Sequence, residues 1–389
     1  MTKIKIRIIL VLIFTILPLT ATYPEMQVIT SGVKKSKGAK TVTKQKKHKP
    51  AKKKKSAAKK VPPYNFYYEF ETMYDSNPYK YSSDLREKYS SGEDRDTRFK
   101  HVESLWDIDN RLTLGIIRNA KIFKNLFTRA GLETFLNFYC NNTIKNFQKY
   151  SAFIEQQLNK KSSLELRYSN IPKYFMKYLL DSDISTSEYD RFRKYSYRED
   201  SFDAILRYRP SRDWFLRLRY RYEYDDYVDE FKEWDSGINS VRLDVSKYCS
   251  KFKTRTGLFY EYTNSAARGY DDEPSHDIDP SYNQNELGFT LWMPVYKDIR
   301  LYAWYSYAYR AYDSRYSISQ DPLHTDRIDR IQTAELKFVK PVRKNLDIFC
   351  RYEYQYRDPS FKASPEDTSS EPYTGYLRNT VSLGIEGRF

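Results

Sequence analysis

The stretch that decides the fold is residues 375–389, GYLRNTVSLGIEGRF. In an extended chain, alternate side chains point to opposite sides of the strand. One side of this stretch is mainly polar, and the other carries Val381, Leu383, Ile385, Gly387 and Phe389. Chain ends of soluble proteins usually fray and carry polar residues. The pattern therefore predicts an amphipathic β-strand that ends on an aromatic residue.

This strand resembles the closing strand of bacterial outer-membrane β-barrels, in which a final Phe and alternating apolar positions form the signal that the assembly machinery reads. The resemblance implies a porin-like barrel and makes the barrel assembly machinery a partner. It assigns the assembly signal to Val381, Leu383, Ile385 and Phe389.

The same period-two alternation extends upstream to Tyr64. The clearest case is residues 216–224, where Leu and Tyr alternate with Arg217, Arg219 and Arg221. About fourteen such segments occur, each close to the roughly 9–11 residues that a tilted membrane strand needs. The predicted fold class is all-β: a transmembrane, antiparallel, up-and-down β-barrel of about 14 strands over residues 64–389.

Short and long connections alternate between these segments. The short ones lie near residues 119–125, 159–162, 210–213, 247–251, 294–298 and 340–345. The long, polar ones lie near residues 75–101, 140–149, 180–194, 228–237, 264–282, 312–327 and 358–375. Outer-membrane barrels have short periplasmic turns and long outer loops, whereas a soluble β-sandwich or propeller does not predict this asymmetry. An even strand number places both chain ends in the periplasm.

Composition excludes two classes of protein. With 30% charged residues and a mean hydropathy of −0.80, the chain is no multi-helix membrane protein, although 17% of its residues are aromatic. A β-barrel reconciles these values because only alternate strand residues face lipid.

The net charge of +16 is confined to residues 1–60, which hold 17 Lys and Arg and one acid, so the remaining chain is neutral. A nucleic-acid-binding domain would keep a basic excess, so no nucleic-acid partner is predicted. The count of 12 Gly is low for a barrel.

The N-terminal region predicts export. Basic residues precede the apolar run 8–17, and small residues follow near Ala21, which is the layout of a secretory signal peptide over residues 1–21. Residues 22–63 form a disordered basic arm, with fourteen Lys between Lys34 and Lys60 and no acid among them. The arm is either a solvated spacer or a periplasmic arm that binds an anionic periplasmic or cell-wall partner.

If the apolar faces meet lipid, the charged faces line the lumen, because Arg or Lys on the lipid side costs about 2–4 kcal/mol at the midplane. We interpret these charges either as a basic stripe that selects anionic solutes or as ion pairs that stiffen the wall. Mixed charge of this density favours a narrow or gated pore. The predicted lumen and selectivity residues are Arg207, Arg209, Arg217, Arg219, Arg221, Glu223, Arg242, Asp244, Lys253, Arg255 and Glu261.

Signals for enzymatic chemistry are weak, and no catalytic, cofactor or metal site is predicted. The barrel region has His101, His276 and His324, all in or beside predicted loops, and only His276 is flanked by acids, Asp277 and Asp279. The three cysteines, Cys140, Cys249 and Cys350, cannot all pair and lack metal-site spacing.

The predicted function is that of a porin or channel in the bacterial outer membrane, with the lipid and small polar or ionic solutes as further partners. One alternative is a structural barrel anchored through its Lys-rich arm. Further alternatives are a barrel hydrolase and a pore for polymer export.

Overall fold

The computed structural model describes residues 64–93, 98–122, 126–180, 192–268, 279–321, 323–361 and 375–389. The predicted signal peptide, residues 1–21, and the predicted Lys-rich arm, residues 22–63, lie outside the described residues.

The described chain is built of fourteen strands joined by turns and loops. The strands are β1 (Tyr64–Asp75), β2 (Asp107–Lys121), β3 (Phe127–Tyr139), β4 (Phe147–Gln157), β5 (Ser162–Leu180), β6 (Phe192–Tyr208), β7 (Trp214–Tyr227), β8 (Ser236–Cys249), β9 (Thr254–Ala267), β10 (Tyr282–Tyr296), β11 (Ile299–Tyr312), β12 (Ile328–Arg343), β13 (Leu346–Ser360) and β14 (Tyr376–Arg388). A helix, α1 (Ser83–Ser91), and two 3-10 helices, Thr143–Lys145 and Asp229–Trp234, lie in the loops.

Each strand pairs antiparallel with its neighbours in sequence, and β1 pairs with β14, so the sheet closes. At the closing seam, the Phe66 N–H donates to the Phe389 carbonyl at 3.0 Å, and the Phe389 N–H donates to the Phe66 carbonyl at 2.8 Å. The prediction of a 14-stranded, antiparallel, up-and-down barrel is confirmed.

The alternation of side chains decides which face of each strand is outside. Along β7, Leu218, Tyr220 and Tyr222 are exposed on the outer face. Between them, on the inner face, Arg221 pairs with Asp203 of β6, and Arg219 reaches past β8 to pair with Glu261 of β9. This direction agrees with the cost of placing a guanidinium in lipid. The four residues predicted as the assembly signal, Val381, Leu383, Ile385 and Phe389, are also exposed on the outer face.

Short turns alternate with longer loops, as predicted. The end of the barrel with the short turns is called the turn end, and the opposite end is called the loop end. The β10–β11 turn consists of Lys297 and Asp298 between the two strands, and Lys297 has a φ of 49°. By contrast, the β1–β2 connection spans residues 76–106 and contains α1.

All strands except β4, which has 11 residues, are longer than the expected 9–11 residues. β5 has 19 residues and β6 has 17, and their pairing contains irregularities between Ile171 and Tyr174 and between Phe175 and Lys177. The extra length lies at the loop end, where the two strands pair with each other and bury aromatic side chains. The segments expected at residues 152–158 and 200–208 belong to β4 and β6, which begin earlier, at Phe147 and Phe192.

The outer face near the loop end carries tyrosines whose hydroxyls bind asparagines of the next strand. Tyr260 donates to the Asn285 side chain at 2.6 Å, and Tyr262 donates to Asn283 at 2.7 Å. Tyr352 makes the same contact with Asn379 at 2.8 Å. These rings lie where an interfacial aromatic girdle is expected.

Cys140, Cys249 and Cys350 are all free and exposed.

None of the helices in the described part of the chain has the length and apolar character that crossing a bilayer requires.

Candidate functional site: the barrel lumen

The inner face of the barrel is the candidate functional site because it concentrates charged side chains of both signs. Glu71 and Glu165 are only 2% exposed, and Arg242 and Arg351 are 3% exposed. Burial to this degree shows that the inward side chains cover one another. A buried charge is costly unless it is paired. The wall should therefore consist of ion pairs, and the contacts below show that it does.

Two arginines of β7 make bidentate ion pairs with acids of the neighbouring strands. Arg217 donates to both oxygens of Asp244, at 3.0 and 3.1 Å. Arg221 donates to both oxygens of Asp203, at 2.9 and 3.0 Å. Bidentate guanidinium–carboxylate pairs are strong and fix the geometry of both side chains. These two pairs therefore hold β7 against β6 and β8.

Between these pairs, two more arginines share one glutamate. Arg219 contacts Glu261 at 2.8 Å, and Arg242 contacts the other Glu261 oxygen at 3.2 Å. Arg242 also contacts Asp244 at 3.1 Å. Arg221 approaches Glu223 at 3.7 Å. The basic stripe predicted from the sequence is thus neutralised by acids along most of its length.

Of the predicted residues nearest the turn end, one follows this pattern and the others lie at or beyond the strand ends. Arg207 is paired, at 2.8 Å from Glu165. Arg209 follows the last residue of β6, Arg255 is the second residue of β9, and both are exposed. The structure places Lys253 in the β8–β9 turn, with a φ of 54°, and not on the wall of the lumen. The reason is that β9 begins one residue later than Lys253, so this side chain projects from the turn into solvent.

A second network, which the sequence did not single out, surrounds Arg351 on β13. Its guanidinium lies 3.3 Å from Glu69, 3.2 Å from Glu71, 3.7 Å from Glu335 and 3.7 Å from Glu353. The glutamates come from β1, β12 and β13, so the arginine reaches across β14 and joins both sides of the closing seam. The only sequence signal for this role is its place in the alternating run of β13.

Inward aromatic rings pack closely against glycines of the adjacent strand. A Cβ added to Gly288 would lie 2.2 Å from the Phe259 ring, and the Arg242 guanidinium lies over that ring, 3.6 Å from its centre. The ring therefore contacts both the backbone and a cation. Within the described wall, such pairs are Tyr67 with Gly115, Phe153 with Gly131, Phe259 with Gly288 and Phe349 with Gly384.

At the loop end, buried acids attach the loops to the barrel. Asp75 accepts from Arg378 at 2.6 Å and from the backbone N–H of Asn77 at 3.0 Å. Asp329 accepts from Arg327 at 2.8 Å and from Arg357 at 2.7 Å. These contacts join the ends of β1, β12, β13 and β14 to the loops that follow or precede them.

Beyond the loop end lies a group of buried, mostly aromatic residues that we call the outer layer: Tyr79, Tyr81, Leu85, Phe99, Phe175, Tyr178 and Phe192. Lys145 lies beside it and donates from Nζ to the carbonyls of Phe175 and Met176 at 3.2 and 3.0 Å. The Lys145 ammonium also faces the Tyr79 ring at 4.8 Å. Burial, with a further contribution from Lys80, lowers the pKa of Lys145 to about 7.

The histidines show no catalytic arrangement within the described residues. His276 and Asp277 lie outside them. His324 is completely buried, with Nδ1 2.8 Å from Asp321, so a substrate cannot reach it. His101 stacks on Tyr178 with 4.5 Å between ring centres, and burial lowers its pKa. Asp279 accepts hydrogen bonds from Ser281 and Arg315 and holds a loop. The prediction that the chain is not an enzyme stays a prediction.

Comparison with known proteins finds similarity at the level of structure. No protein-family model matches the chain, and no curated protein matches its sequence. An anion-selective porin from Comamonas acidovorans has 9% identity and a TM-score of 0.40, covering 84% of this chain and 98% of the porin. The outer-membrane protein OmpT of Vibrio cholerae has 9% identity and a TM-score of 0.42, covering 84% and 99%. A FadL homologue of Pseudomonas aeruginosa has 11% identity and a TM-score of 0.39, covering 84% and 89%. These values are too low to transfer a function, and the architecture rests on the strand pairing.

Proposed function

We propose that the chain is a bacterial outer-membrane channel that passes small polar or charged solutes through a narrow lumen. The observation that carries the proposal is the set of charges on the inner face of a closed barrel, with Arg217, Arg219, Arg221 and Arg242 at its centre. Fixed charges in a pore replace part of the hydration of an ion and repel apolar solutes. Because acids accompany most of these bases, we expect a modest anion preference.

The placement in the envelope is part of the same proposal. Residues 1–21 direct export, residues 22–63 form a periplasmic arm, and residues 64–389 insert as the barrel with the turn end in the periplasm. The short turns and the exposed apolar residues of the outer face support this orientation. The exposed terminal positions Val381, Leu383, Ile385 and Phe389 support recognition by the barrel assembly machinery.

The direct test is single-channel recording of the refolded protein in a planar bilayer. Wild-type protein should give small, stable conductance steps with a modest preference for anions. Replacing Arg217, Arg219 and Arg221 by Gln leaves their acidic partners without cations, so the reversal potential in a salt gradient should shift towards cation selectivity.

A matched control removes the same charge outside the lumen. Arg198, Arg212 and Arg330 lie on the outer face or in a turn, and the triple Gln variant of these residues should keep the wild-type reversal potential. Equal shifts in both triple variants would contradict the assignment of selectivity to the lumen.

A second candidate is a structural barrel that does not conduct. The near-complete burial of Glu71, Glu165 and Arg351 favours it, because these side chains fill space that a wide channel would leave to water. A correctly inserted barrel that stays silent at all voltages would support this candidate. In that case, deleting residues 31–60 should impair envelope integrity, whereas for a simple channel the deletion should leave the conductance unchanged.

A further inference from the structure

Three carboxylates converge on the inner face near the loop end of the barrel. Glu199 lies on β6, and Glu223 and Asp225 lie two residues apart on β7. Glu199 and Asp225 are direct partners in the strand register. One oxygen from each of the three side chains lies within 4.8 Å of the oxygens of the other two.

An independent observation concerns the burial and pairing of Asp225. This residue is 7% exposed, and its Oδ1 is enclosed without a hydrogen-bond partner among the residues that the structure describes. Every other strongly buried acid of the wall discussed above has an arginine within 4 Å. A buried carboxylate without a counter-charge is unfavourable. A bound cation would stabilise the ionised Asp225 carboxylate, which forms no ion pair within the described residues.

The neighbouring cations pair with carboxylates other than Asp225. Lys149 pairs with Glu199 at 3.0 Å. Arg221 is committed to Asp203 through two hydrogen bonds and reaches Glu223 only at 3.7 Å. The cluster therefore has more negative charge than its neighbours balance, and the excess lies at Asp225.

The ligand type and the setting favour Ca²⁺ over Mg²⁺. Carboxylate oxygens that all lie within 4.8 Å of one another can be bridged by one divalent cation. Ca²⁺ accepts carboxylates in flexible, irregular geometry, whereas Mg²⁺ demands a near-ideal octahedron and gives up its waters reluctantly. Three carboxylates fixed on two strands therefore suit Ca²⁺ better. Carbonyl or water oxygens would complete its coordination.

We propose that Glu199, Glu223 and Asp225 form a Ca²⁺ site inside the loop end of the lumen. The Lys149 ammonium, which lies on Glu199, competes with the ion for that carboxylate. Bound Ca²⁺ joins β6 to β7 and places positive charge in the lumen. The proposal of this Ca²⁺ site does not rest on the proposed channel function.

Calcium binding is measured on the refolded full-length protein in detergent by titration with CaCl₂ in a calorimeter. A site of three carboxylates on rigid strands should bind with a Kd of about 10⁻⁴–10⁻³ M, the range of extracellular Ca²⁺ modules. MgCl₂ should bind more weakly. Terbium provides a second readout, because the Tyr197 and Tyr227 rings lie two residues from the site on the same face and can sensitise its luminescence.

Variants distinguish Ca²⁺ binding at this site from nonspecific attraction of Ca²⁺ to a charged protein. Asp225→Asn should weaken Ca²⁺ binding by about tenfold or more, because it removes the negative charge of one ligand. Asp226→Asn is the matched control, since it removes the same charge one residue away, where Asp226 is half-exposed and pairs with Lys232. Lys149→Met should tighten binding, because it removes the competing cation. The difference in gel mobility between heated and unheated samples verifies that each variant is folded.

The expected result is saturable binding that Asp225→Asn weakens, Asp226→Asn leaves unchanged and Lys149→Met strengthens. The proposal is overturned if the folded wild type shows no saturable Ca²⁺ binding, or if Asp225→Asn and Asp226→Asn weaken it equally. Equal or tighter binding of Mg²⁺ would overturn the assignment of the ion.

Discussion

At Gly288 the inner wall has no side chain, and the ring of Phe259 fills the space. A Cβ at this position would lie 2.2 Å from the ring and 2.6 Å from the carbonyl of Tyr305. The Arg242 guanidinium lies over the ring, 3.6 Å from its centre, and the Trp304 ring stacks on it at 5.5 Å between centres. Arg242 is held by two acids, Asp244 and Glu261, so the Phe259 ring has little room to move away from an added methyl group.

We therefore expect Gly288→Ala to destabilise the barrel by about 1–3 kcal/mol, the usual cost of overpacking a filled site. The measurement is urea unfolding of the refolded protein in lipid vesicles. Gly237→Ala is the matched control, because the nearest atom to a Cβ at Gly237 is the Tyr222 hydroxyl oxygen at 3.6 Å, an ordinary contact distance. A similar loss of stability in both variants would contradict the explanation by close approach.

Arg351 offers a second comparison at the scale of one residue. Its replacement by Met should destabilise the barrel by about 3 kcal/mol or more, because Glu71 and Glu335 would remain buried without their cation. Arg330→Met is the control. Arg330 and its partner Asp358 are both about half exposed and lie 3.7 Å apart, so the loss of Arg330 should change the free energy of unfolding by less than about 1 kcal/mol. Urea unfolding distinguishes the two, and equal effects would argue against a special role of Arg351.

At the scale of elements, β5 and β6 extend beyond the other strands and support the outer layer. Phe175 and Tyr178 come from β5 and Phe192 from β6, while Tyr79 and Tyr81 come from the β1–β2 loop. The ring of Tyr79 stacks on that of Tyr81 at 5.3 Å between centres. Strand extension and loop are therefore one packed unit.

The stability of this unit should depend on pH through Lys145. An unfolded lysine titrates near 10.5, whereas burial lowers the pKa of folded Lys145 to about 7. Between these values the unfolded chain holds a proton that the folded chain lacks, so the free energy of unfolding should rise with pH from about 7 to about 10. Below about pH 7 the lysine is protonated in both the folded and the unfolded chain, so it adds no pH dependence to the free energy of unfolding.

The measurement is urea unfolding at several pH values for wild type and Lys145→Met, with the difference between them isolating this one group. Lys161→Met is the control, because Lys161 is exposed in the β4–β5 turn. A pH dependence that is the same in wild type and Lys145→Met would show that Lys145 remains protonated in the folded protein.

At the scale of the whole molecule, closure depends on contacts between the two ends of the described chain. β1 and β14 pair over nine positions, from Tyr67 with Arg388 to Asp75 with Thr380. On the inner face, Arg351 reaches the glutamates of β1, and at the loop end Arg378 binds Asp75. Ion pairs on the inner face therefore link the two strands that are farthest apart in sequence to their neighbours across the seam.

A chain consisting of residues 64–389 should accordingly refold into the same barrel, because all fourteen strands and their pairings lie within it. The expected result is the same heat-dependent gel mobility and β-sheet circular dichroism as the full chain. Removal of residues 376–389 is the contrasting variant, since it leaves β1 and β13 without their common partner. A compact, heat-modifiable species from this shorter chain would contradict the role of the seam.

The candidate site was only partly predictable from the sequence. Alternation places Arg217 and Arg242 on the inner face, but it does not indicate that they share the carboxylate of Asp244. Such contacts depend on the register between strands. Arg351 appears in the sequence as one more charged residue, and only closure of the barrel brings β1 beside it.

The amino-acid sequence by itself determined the fold class, a closed β-barrel. It also determined the approximate number of strands, the order of short and long connections and the face of each strand that points outward. These properties follow from local periodicity, because alternate residues of a strand face opposite sides whatever its partners are. The tertiary structure alone decided which charges neutralise one another, which rings pack against glycines, and that one oxygen of Asp225 lacks a hydrogen-bond partner among the described residues. The physical reason is that these relations join residues far apart in sequence, whose distances are set by strand register and closure.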